Sequence, residues 1–130
     1  MRLLLDTHIA IWWLAGSARL GKNARMLIEE SDCAVSTATL IEARFLLLVG
    51  RAEIPEVPVI VRHLEQDGIA LLPLMASHIA ESTRFENSHA DIYDRMLLGA
   101  AAVENRALLT CDAALLALAK QARLGFVVEG

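Results

Sequence analysis

The chain has 130 residues, of which 55% are hydrophobic and 22% are charged, and its net charge is −4. This length predicts a single domain spanning residues 1–130, and the composition excludes an intrinsically disordered chain, because such chains are poor in apolar residues. The acidic balance disfavours nucleic-acid binding through a broad basic face.

Several features of the sequence indicate the cytoplasm as the compartment. The longest stretches without a charged residue have thirteen and twelve residues, whereas a membrane-spanning helix needs about 18 or more. Arg2 is followed by only three leucines before Asp6, which is not the pattern of a signal peptide. Cys33 and Cys111 show no metal-ligand spacing and fit a reducing compartment, and we expect both to be small buried side chains. We therefore expect a cytoplasmic protein with no membrane contact.

Apolar runs that predict strands alternate with helical patterns along the whole chain, without internal repeats or linkers. Asp6 and Thr7 follow the first apolar run and signal the start of a helix, and Pro73 interrupts a later run, which indicates an edge strand. Pro55 and Pro58 predict a loop between two helices. In chain order we predict a strand over 2–5, helices over 9–15 and 21–30, a strand over 33–36, helices over 37–49 and 59–66, a strand over 69–74, helices over 76–85 and 91–105, a strand over 107–109, a helix over 112–121 and a strand over 126–128.

The alternation of strands and helices predicts the fold class. Strands that are continuous apolar runs separated by helices form parallel sheets covered on both faces. We therefore predict an α/β protein, a single three-layer α/β/α domain with a parallel sheet. In such sheets ligands bind beyond the carboxyl ends of the strands, so functional residues should lie at that edge.

Four acidic residues are predicted to face that edge of the sheet. Asp6 and Asp112 each follow a strand, so both carboxylates open into one crevice if the two strands are neighbours. Glu42 and Asp94 lie in the first two turns of their helices, on the stripe predicted to pack on the sheet. On those stripes Glu42 is grouped with Phe45, Leu46 and Val49, and Asp94 with Leu97, Leu98 and Ala101.

Each of these acids also has a purely structural explanation. Asp6 and Asp112 have the positions of helix N-caps, Glu42 has capping-box spacing from Thr39, and Asp94 suits the first turn of a helix. A shared cation site explains all four positions together, and no cluster of Lys or His accompanies the acids to neutralise them. Crowded carboxylates are expected to have raised pKa values, because like charges disfavour ionisation. Oxygen ligands of this kind favour a hard cation, Mg²⁺ or Mn²⁺.

Four stretches of the sequence resemble the PIN domain family. The run LLLDTH over 3–8 and the pair Val35-Ser36 that leads to Glu42 resemble its first half, HADIYDRMLLGAA over 89–101 resembles its third acidic block, and LTCD over 109–112 its fourth. Their order and spacing are similar to those of the toxin branch, the VapC-type ribonucleases of bacterial toxin–antitoxin pairs. Ile92-Tyr93 stands where this branch often has Pro-Phe, and Gly99 where a larger residue is common.

The resemblance implies a site and a sheet order. Asp6, Glu42, Asp94 and Asp112 are then the catalytic and metal-binding acids. The implied sheet order of the PIN-like fold is 3-2-1-4-5, which makes the strands before Asp6 and Asp112 neighbours. Auxiliary positions, whose side chains would assist or orient the acids or a metal-bound water, are Asp91, Thr7, Ser36 and Thr110.

The function that the resemblance implies is a Mg²⁺-dependent endoribonuclease, with Mn²⁺ as an alternative cation, that cleaves RNA phosphodiesters with metal-activated water. The protein would be the toxin of a toxin–antitoxin pair, with RNA as its substrate and a cognate antitoxin protein as its partner. The predicted helix 9–15 and the run 45–49 are apolar all round, and a domain of this size can bury only one face of each. We therefore expect a homodimer through one of these surfaces and an antitoxin on the other.

Two other functions remain open at this point. A non-catalytic PIN-like binding module would use the acids to hold a structural ion or a partner's arginine. A receiver-like phosphotransfer domain also has an acid after its first strand, but it needs a lysine near the phosphate, and Lys22 and Lys120 follow no predicted strand. His8 and Arg95 lie beside the site, either as substrate contacts or as exposed helix residues. No role is assigned to His63, His78 and His89.

Overall fold

Five parallel strands form one sheet in the computed structural model, which describes residues 1–130. The strands are β1 (Arg2–Leu5), β2 (Asp32–Ser36), β3 (Ala70–Leu72), β4 (Ala107–Thr110) and β5 (Val127–Glu129). Their order is β3-β2-β1-β4-β5 and every neighbouring pair is parallel, which confirms the predicted sheet. Because Leu5 of β1 lies opposite Leu109 of β4, the residues that follow these two strands meet at one edge.

The helices that connect the strands are short. They are α1 (Thr7–Ala15), α2 (Lys22–Glu30), α3 (Thr37–Leu48), α4 (Val57–Gln66), α5 (Ala76–Ser82), α6 (Ile92–Val103) and α7 (Ala113–Gln121), with a 3-10 turn over Thr83–Phe85 after α5. None of them combines the length and the apolar character that crossing a membrane requires.

Two apolar cores lie on opposite faces of the sheet, because successive side chains of a strand point to opposite sides. Leu3 and Leu5 of β1 pack into one core with residues of α1, α2 and α4. Leu4 packs into the other core with residues of α6 and α7. All three leucines are fully buried. The middle of β1 is apolar because both of its faces pack on a core, which confirms the three-layer α/β/α architecture.

Some element boundaries differ from the predicted ones. Helix α4 begins at Val57, so Pro58 lies in its first turn and not in a loop. Proline is tolerated there because the first N–H groups of a helix have no partner within it. Strand β3 ends at Leu72, before Pro73, and lies at the edge of the sheet as predicted.

The buried face of α3 differs in part from the predicted stripe. Glu42 and Leu46 are buried as predicted, but Phe45 and Val49 are exposed. Phe45 lies at the margin of the buried face, and Val49 follows the last residue of the helix. The residues that complete the buried face are Ala38, Thr39 and Ala43.

A backbone contact between α5 and α6 occurs at Gly99. A β-carbon at this position would overlap with the carbonyl oxygen of His78 and lie 2.9 Å from the backbone nitrogen of Ser82. His78 is fully buried at the same crossing, where its Nε2 lies 2.9 Å from Oε1 of Glu104 and its Nδ1 accepts a hydrogen bond from the backbone N–H of Met75. The packing of these two helices therefore requires a glycine at position 99.

Candidate active site

Asp6 is the central carboxylate of the site. It follows β1 and is the N-cap of α1, with Oδ1 accepting a hydrogen bond from the backbone N–H of Thr7 at 2.7 Å. Its Oδ2 accepts a hydrogen bond from the hydroxyl of Thr110, also at 2.7 Å. Burial raises the pKa of Asp6, and these two hydrogen bonds oppose the rise. Asp6 therefore caps α1, as its structural explanation predicted, and it also lies at the edge of the sheet where the site is predicted.

Asp112 is joined to Asp6 through the same threonine. The hydroxyl oxygen of Thr110 accepts a hydrogen bond from the backbone N–H of Asp112 at 3.0 Å. Asp112 is exposed and caps α7, accepting a hydrogen bond from the N–H of Leu115 at 2.9 Å. Its charge adds to the raised pKa of Asp6, after the larger effect of burial. Asp6 and Asp112 line one cavity of about 310 Å³, as the adjacency of β1 and β4 predicted.

Glu42 brings a third carboxylate from α3. The residue is only 8% exposed, and its Oε1 is one of two buried side-chain polar atoms without a hydrogen-bond partner, the other being Nε of Arg106. Burial is the main cause of a raised pKa of Glu42, the charges of Asp91 and Asp6 add to it, and the hydroxyl of Thr7 opposes it. A buried carboxylate oxygen without a partner is costly unless a ligand supplies one.

Asp94 brings the fourth carboxylate from the first turn of α6. Asp91 is the N-cap of that helix and accepts a hydrogen bond from the N–H of Asp94 at 2.9 Å. Burial raises the pKa of Asp94 to about 7, the charges of Asp91 and Asp6 add to the rise, and a hydrogen bond with His89 opposes it. The raised pKa values of Asp6, Glu42 and Asp94 were expected, but their larger cause is burial and not the repulsion between like charges.

His89 contacts one of the four acids, although no sequence pattern singled it out. Its Nε2 lies 2.7 Å from Oδ2 of Asp94, so a residue to which the sequence assigned no role accompanies one of the acids. Arg95 was predicted to be either a substrate contact or an exposed helix residue, but its Nη1 donates to the backbone carbonyls of His89 and Ala90, at 2.9 Å each. The arginine therefore holds the loop that positions the histidine. Helical spacing rules do not predict this hydrogen bond, because His89 lies in the loop before α6.

The predicted auxiliary hydroxyl groups have different surroundings. Thr110 binds Asp6 directly, whereas the hydroxyl of Thr7 lies 3.1 Å from that of Thr39. Ser36 is the N-cap of α3, and its hydroxyl accepts a hydrogen bond from the N–H of Ala38 at 3.1 Å. Because Ser36 caps this helix, Thr39 and Glu42 do not form the capping box that their spacing suggested.

Cys111 differs from its prediction. It is exposed and lines the cavity beside Asp6 and Asp112, whereas Cys33 is buried as expected. The difference arises because Cys111 follows β4 at the open edge of the sheet, while Cys33 lies within β2.

The donor set fits a divalent cation, although no three His, Cys, Asp or Glu side chains lie close enough together to form a ready-made cage. The observation that supports the fit is the buried Oε1 of Glu42, which has no partner in the chain. The charge of Asp6 raises the pKa of both Glu42 and Asp94, after the larger effect of burial, so the three carboxylates interact. Carboxylate oxygens are the ligands that Mg²⁺ and Mn²⁺ prefer.

Comparison with known proteins gives a consistent assignment of the fold. A chain of VapBC2 from Rickettsia felis, crystallised with a DNA fragment from its promoter, has 16% sequence identity and a TM-score of 0.63, with 100% of this chain and 98% of that chain covered. A toxin–antitoxin complex from Klebsiella pneumoniae has 17% identity and a TM-score of 0.61, with 97% and 95% covered. DNA-bound VapBC from Salmonella typhimurium has 14% identity and a TM-score of 0.60, with 100% and 97% covered. At these identities the similarity establishes the fold alone.

The family assignment comes from the sequence itself. No curated protein matches the chain significantly. The family model described as PIN domain matches residues 3–121, which includes all four predicted acids. The chain therefore belongs to the PIN domain family, whose members are in general nucleases.

Proposed function

We propose that the protein is a divalent-cation-dependent endoribonuclease and the toxin of a toxin–antitoxin pair. The observation that carries the proposal is the unpartnered buried Oε1 of Glu42, which lies among carboxylates whose pKa values are raised by burial. The PIN domain match and the fold shared with VapBC complexes support the choice of a nuclease toxin.

The residues that would hold the cation are Asp6, Glu42, Asp94 and Asp112. A divalent cation held there supplies the Lewis acidity that activates water and stabilises the leaving oxygen of a phosphodiester. Mg²⁺ is the first candidate, and Mn²⁺, which accepts the same oxygen ligands, is the second.

Hydrogen bonds within the chain orient the carboxylates of Asp6 and Asp94. The backbone N–H of Thr7 and the hydroxyl of Thr110 donate to the two oxygens of Asp6, and His89 is hydrogen-bonded to Oδ2 of Asp94, so both carboxylates are held in place. Without a cation, burial raises the pKa of Asp94 to about 7, so this carboxyl group holds a proton near neutral pH. The ionised carboxylate is the form that a divalent cation favours, so Asp94 would release this proton when a cation binds.

The test of catalysis compares charge-removing substitutions. Asp94→Asn and Glu42→Gln are each expected to keep the fold and lose Mg²⁺-dependent cleavage of single-stranded RNA, and EDTA should have the same effect on the unmodified protein. Glu65→Gln, at an exposed position on α4, is the matched control and should cleave normally. An Asp94→Asn protein that cuts RNA at the unmodified rate, after removal of contaminating nuclease, would contradict the assignment.

The same experiment distinguishes a nuclease from a non-catalytic PIN-like binding module. A structural ion or a partner's arginine would also neutralise the acids, so a binding module should be stabilised by Mg²⁺ without cleaving any RNA. Cleavage by the unmodified protein that is lost in Asp94→Asn excludes the binding module, because a non-catalytic protein has no cleavage activity to lose.

We also propose two protein partners, a second copy of the chain and a cognate antitoxin. The outer face of α3 exposes Ile41, Phe45 and Leu48, and Val49 is exposed directly after the helix. Leu48 is 70% exposed, and such an apolar surface suits a homodimer. A cavity of about 190 Å³ between α1, α3 and α4 is lined mostly by apolar residues and suits side chains of an antitoxin. We expect that antitoxin to place an arginine among the four acids and to compete with the cation.

A further inference from the structure

One wall of the acidic cavity is built from aromatic rings. His8 and Trp12 are one turn apart on α1, with their ring centroids 5.9 Å apart and their planes tilted by 54°. Both line the cavity that contains Asp6 and Asp112. His8 is exposed and Trp12 is half-buried, so the two rings present accessible surface beside the carboxylates.

His8 differs from every other histidine of the chain. His63 lies 3.5 Å from Asp67, His78 lies 2.9 Å from Glu104, and His89 lies 2.7 Å from Asp94. His8 has no such carboxylate partner and makes no hydrogen bond within the chain. The polar edge of its ring is therefore available to a ligand in the cavity.

The two adjacent tryptophans differ in the same way. The indole N–H of Trp13 donates to Asp67 at 2.9 Å, and the guanidinium of Arg25 lies 5.8 Å from the centre of its ring. Trp13 is thus engaged by the fold. The indole N–H of Trp12 has no hydrogen-bond partner, although its ring packs partly against the core. Trp12 is the member of the pair that is available to a ligand.

Charge limits what such a ligand can gain from its phosphates. The chain has a net charge of −4, and the cavity itself contains Asp6 and Asp112. Attraction between RNA phosphates and basic side chains dominates the affinity of basic proteins for RNA, whatever its sequence. Near these acids this attraction contributes little to the affinity for a single strand. Stacking of bases on aromatic side chains is the other main source of affinity for single strands, and it does not depend on protein charge.

We propose that His8 and Trp12 form a nucleobase subsite, which takes one base of a single-stranded RNA next to the phosphate positioned at the acids. Trp12 supplies the surface on which the base stacks, and the His8 ring and the indole N–H of Trp12 supply hydrogen-bonding groups for its edge. This inference rests on the proposed ribonuclease function and names the part of the substrate that the cavity recognises.

Fluorescence of the full chain tests the subsite without relying on cleavage. The chain has two tryptophans, so Trp13→Phe leaves Trp12 as the sole one, and Trp12→Phe leaves Trp13. The probe is a short single-stranded RNA in Mg²⁺, added to the Asp94→Asn form of each variant. We expect quenching of Trp12 by this RNA and none by an abasic oligomer of the same length, with no change in Trp13. Equal quenching by the abasic oligomer, or no quenching of Trp12, would overturn the subsite.

Cleavage kinetics separate a failure of the subsite from a failure of the proposed function. Trp12→Ala should raise KM by roughly 10-fold or more, as expected for the loss of one stacked base, with a smaller change in kcat. Trp12→Phe should restore most of the affinity because it keeps an aromatic face. If the unmodified protein cleaves RNA and Trp12→Ala leaves KM unchanged, the subsite is wrong and the nuclease assignment stands.

Two further outcomes decide between RNA and protein as the occupant. An unchanged KM together with loss of antitoxin binding in Trp12→Ala would assign this wall to the protein partner and overturn the proposal. If the unmodified protein cleaves no RNA in Mg²⁺ or Mn²⁺, the proposed function fails, while the fluorescence measurement still decides whether Trp12 binds a base. The melting curve shows whether Trp12→Ala is folded. If it is not, the KM of Trp12→Phe and the fluorescence of Trp12→Phe and Trp13→Phe test the subsite instead.

Discussion

The imidazole Nε2 of His89 lies 2.7 Å from Oδ2 of Asp94, and the two side chains are only 8% and 16% exposed. Arg95 binds the backbone carbonyl of His89, so the loop that contains the histidine is tied to α6, which contains the acid. No hydrogen bond within the chain engages Oδ1 of Asp94. One oxygen of the carboxylate is therefore held by the protein, and the other is left for a ligand.

Removing the imidazole should weaken the cation site without unfolding the protein. We expect His89→Ala to lower Mg²⁺ affinity or cleavage rate by about 10- to 100-fold, because groups that orient a metal ligand typically have effects of this size. His89→Asn, which keeps a hydrogen-bonding group, should recover part of the loss. The measurement is the Mg²⁺ dependence of RNA cleavage and of melting temperature. His63→Ala, which removes the pair with Asp67, is the control. Unchanged Mg²⁺ dependence in His89→Ala would show that the bond has no role in the site.

Metal-free stability should fall as the pH rises towards neutrality. Burial raises the pKa of Asp94 from 3.8 to about 7, so the native state holds this proton while the unfolded chain has lost it. Between about pH 4 and about pH 7 the free energy of unfolding should therefore decrease, by at most about 1.4 kcal/mol per pH unit for this group. Asp6 and Glu42, whose pKa values are also raised by burial, contribute in the same direction.

Denaturant unfolding in EDTA at several pH values measures this slope. Asp94→Asn should remove the decrease in the free energy of unfolding with pH that Asp94 causes. Saturating Mg²⁺ should restore stability near pH 7.5 because it binds only the native state. Stability that increases between pH 4 and pH 7, or melting temperatures that are identical with and without Mg²⁺, would contradict the buried carboxylate site.

Enlarging Gly99 should destabilise the contact between α5 and α6. A β-carbon there would overlap with the backbone carbonyl of His78, which cannot move aside as a flexible side chain could. We expect Gly99→Ala to lower the free energy of unfolding by about 1–3 kcal/mol, the usual cost of overpacking. Gly125→Ala is the matched control, because nothing lies within 4 Å of its added β-carbon. A melting temperature that Gly99→Ala leaves unchanged would mean that the two helices separate easily.

A charge on the outer face of α3 should disrupt the proposed homodimer. Light scattering of the unmodified protein at micromolar concentration should give a mass near twice 14.2 kDa. Leu48→Asp should give a monomer, since a carboxylate buried in an apolar interface loses its hydration without a partner. Met26→Asp, at a similarly exposed apolar position on α2, should remain a dimer. A monomeric unmodified protein would exclude this use of the surface.

The parallel sheet and the edge that contains the acids were predictable from general rules of parallel sheets, whereas the strand order was implied by the resemblance to the PIN domain family. Apolar runs that lack polar alternation predict strands covered on both faces, and Asp6 and Asp112 follow two such runs. The positions of Glu42 and Asp94 followed from helical periodicity. These predictions depend on spacing within one element, which the sequence displays directly.

Contacts that depend on loop conformation or on helix packing were not predictable. The bond between His89 and Asp94 exists because Arg95 closes a loop, and no spacing rule describes that loop. The exposure of Phe45 depends on how far α3 is rotated against the sheet, which the pattern of apolar residues does not determine. The difference between Trp12 and Trp13 depends on Asp67, which lies more than fifty residues away in the chain.

The hydrogen bond between Thr110 and Asp6 joins residues 104 positions apart. Ribosomes add about 5–20 residues per second, so roughly 5–20 seconds separate the translation of the two. During that interval β1 has no β4 beside it, and the carboxylate of Asp6 lacks the hydroxyl that holds it. The nascent protein therefore has no assembled acidic cavity until Thr110 has been synthesised, and a translation product that stops before Thr110 never acquires one.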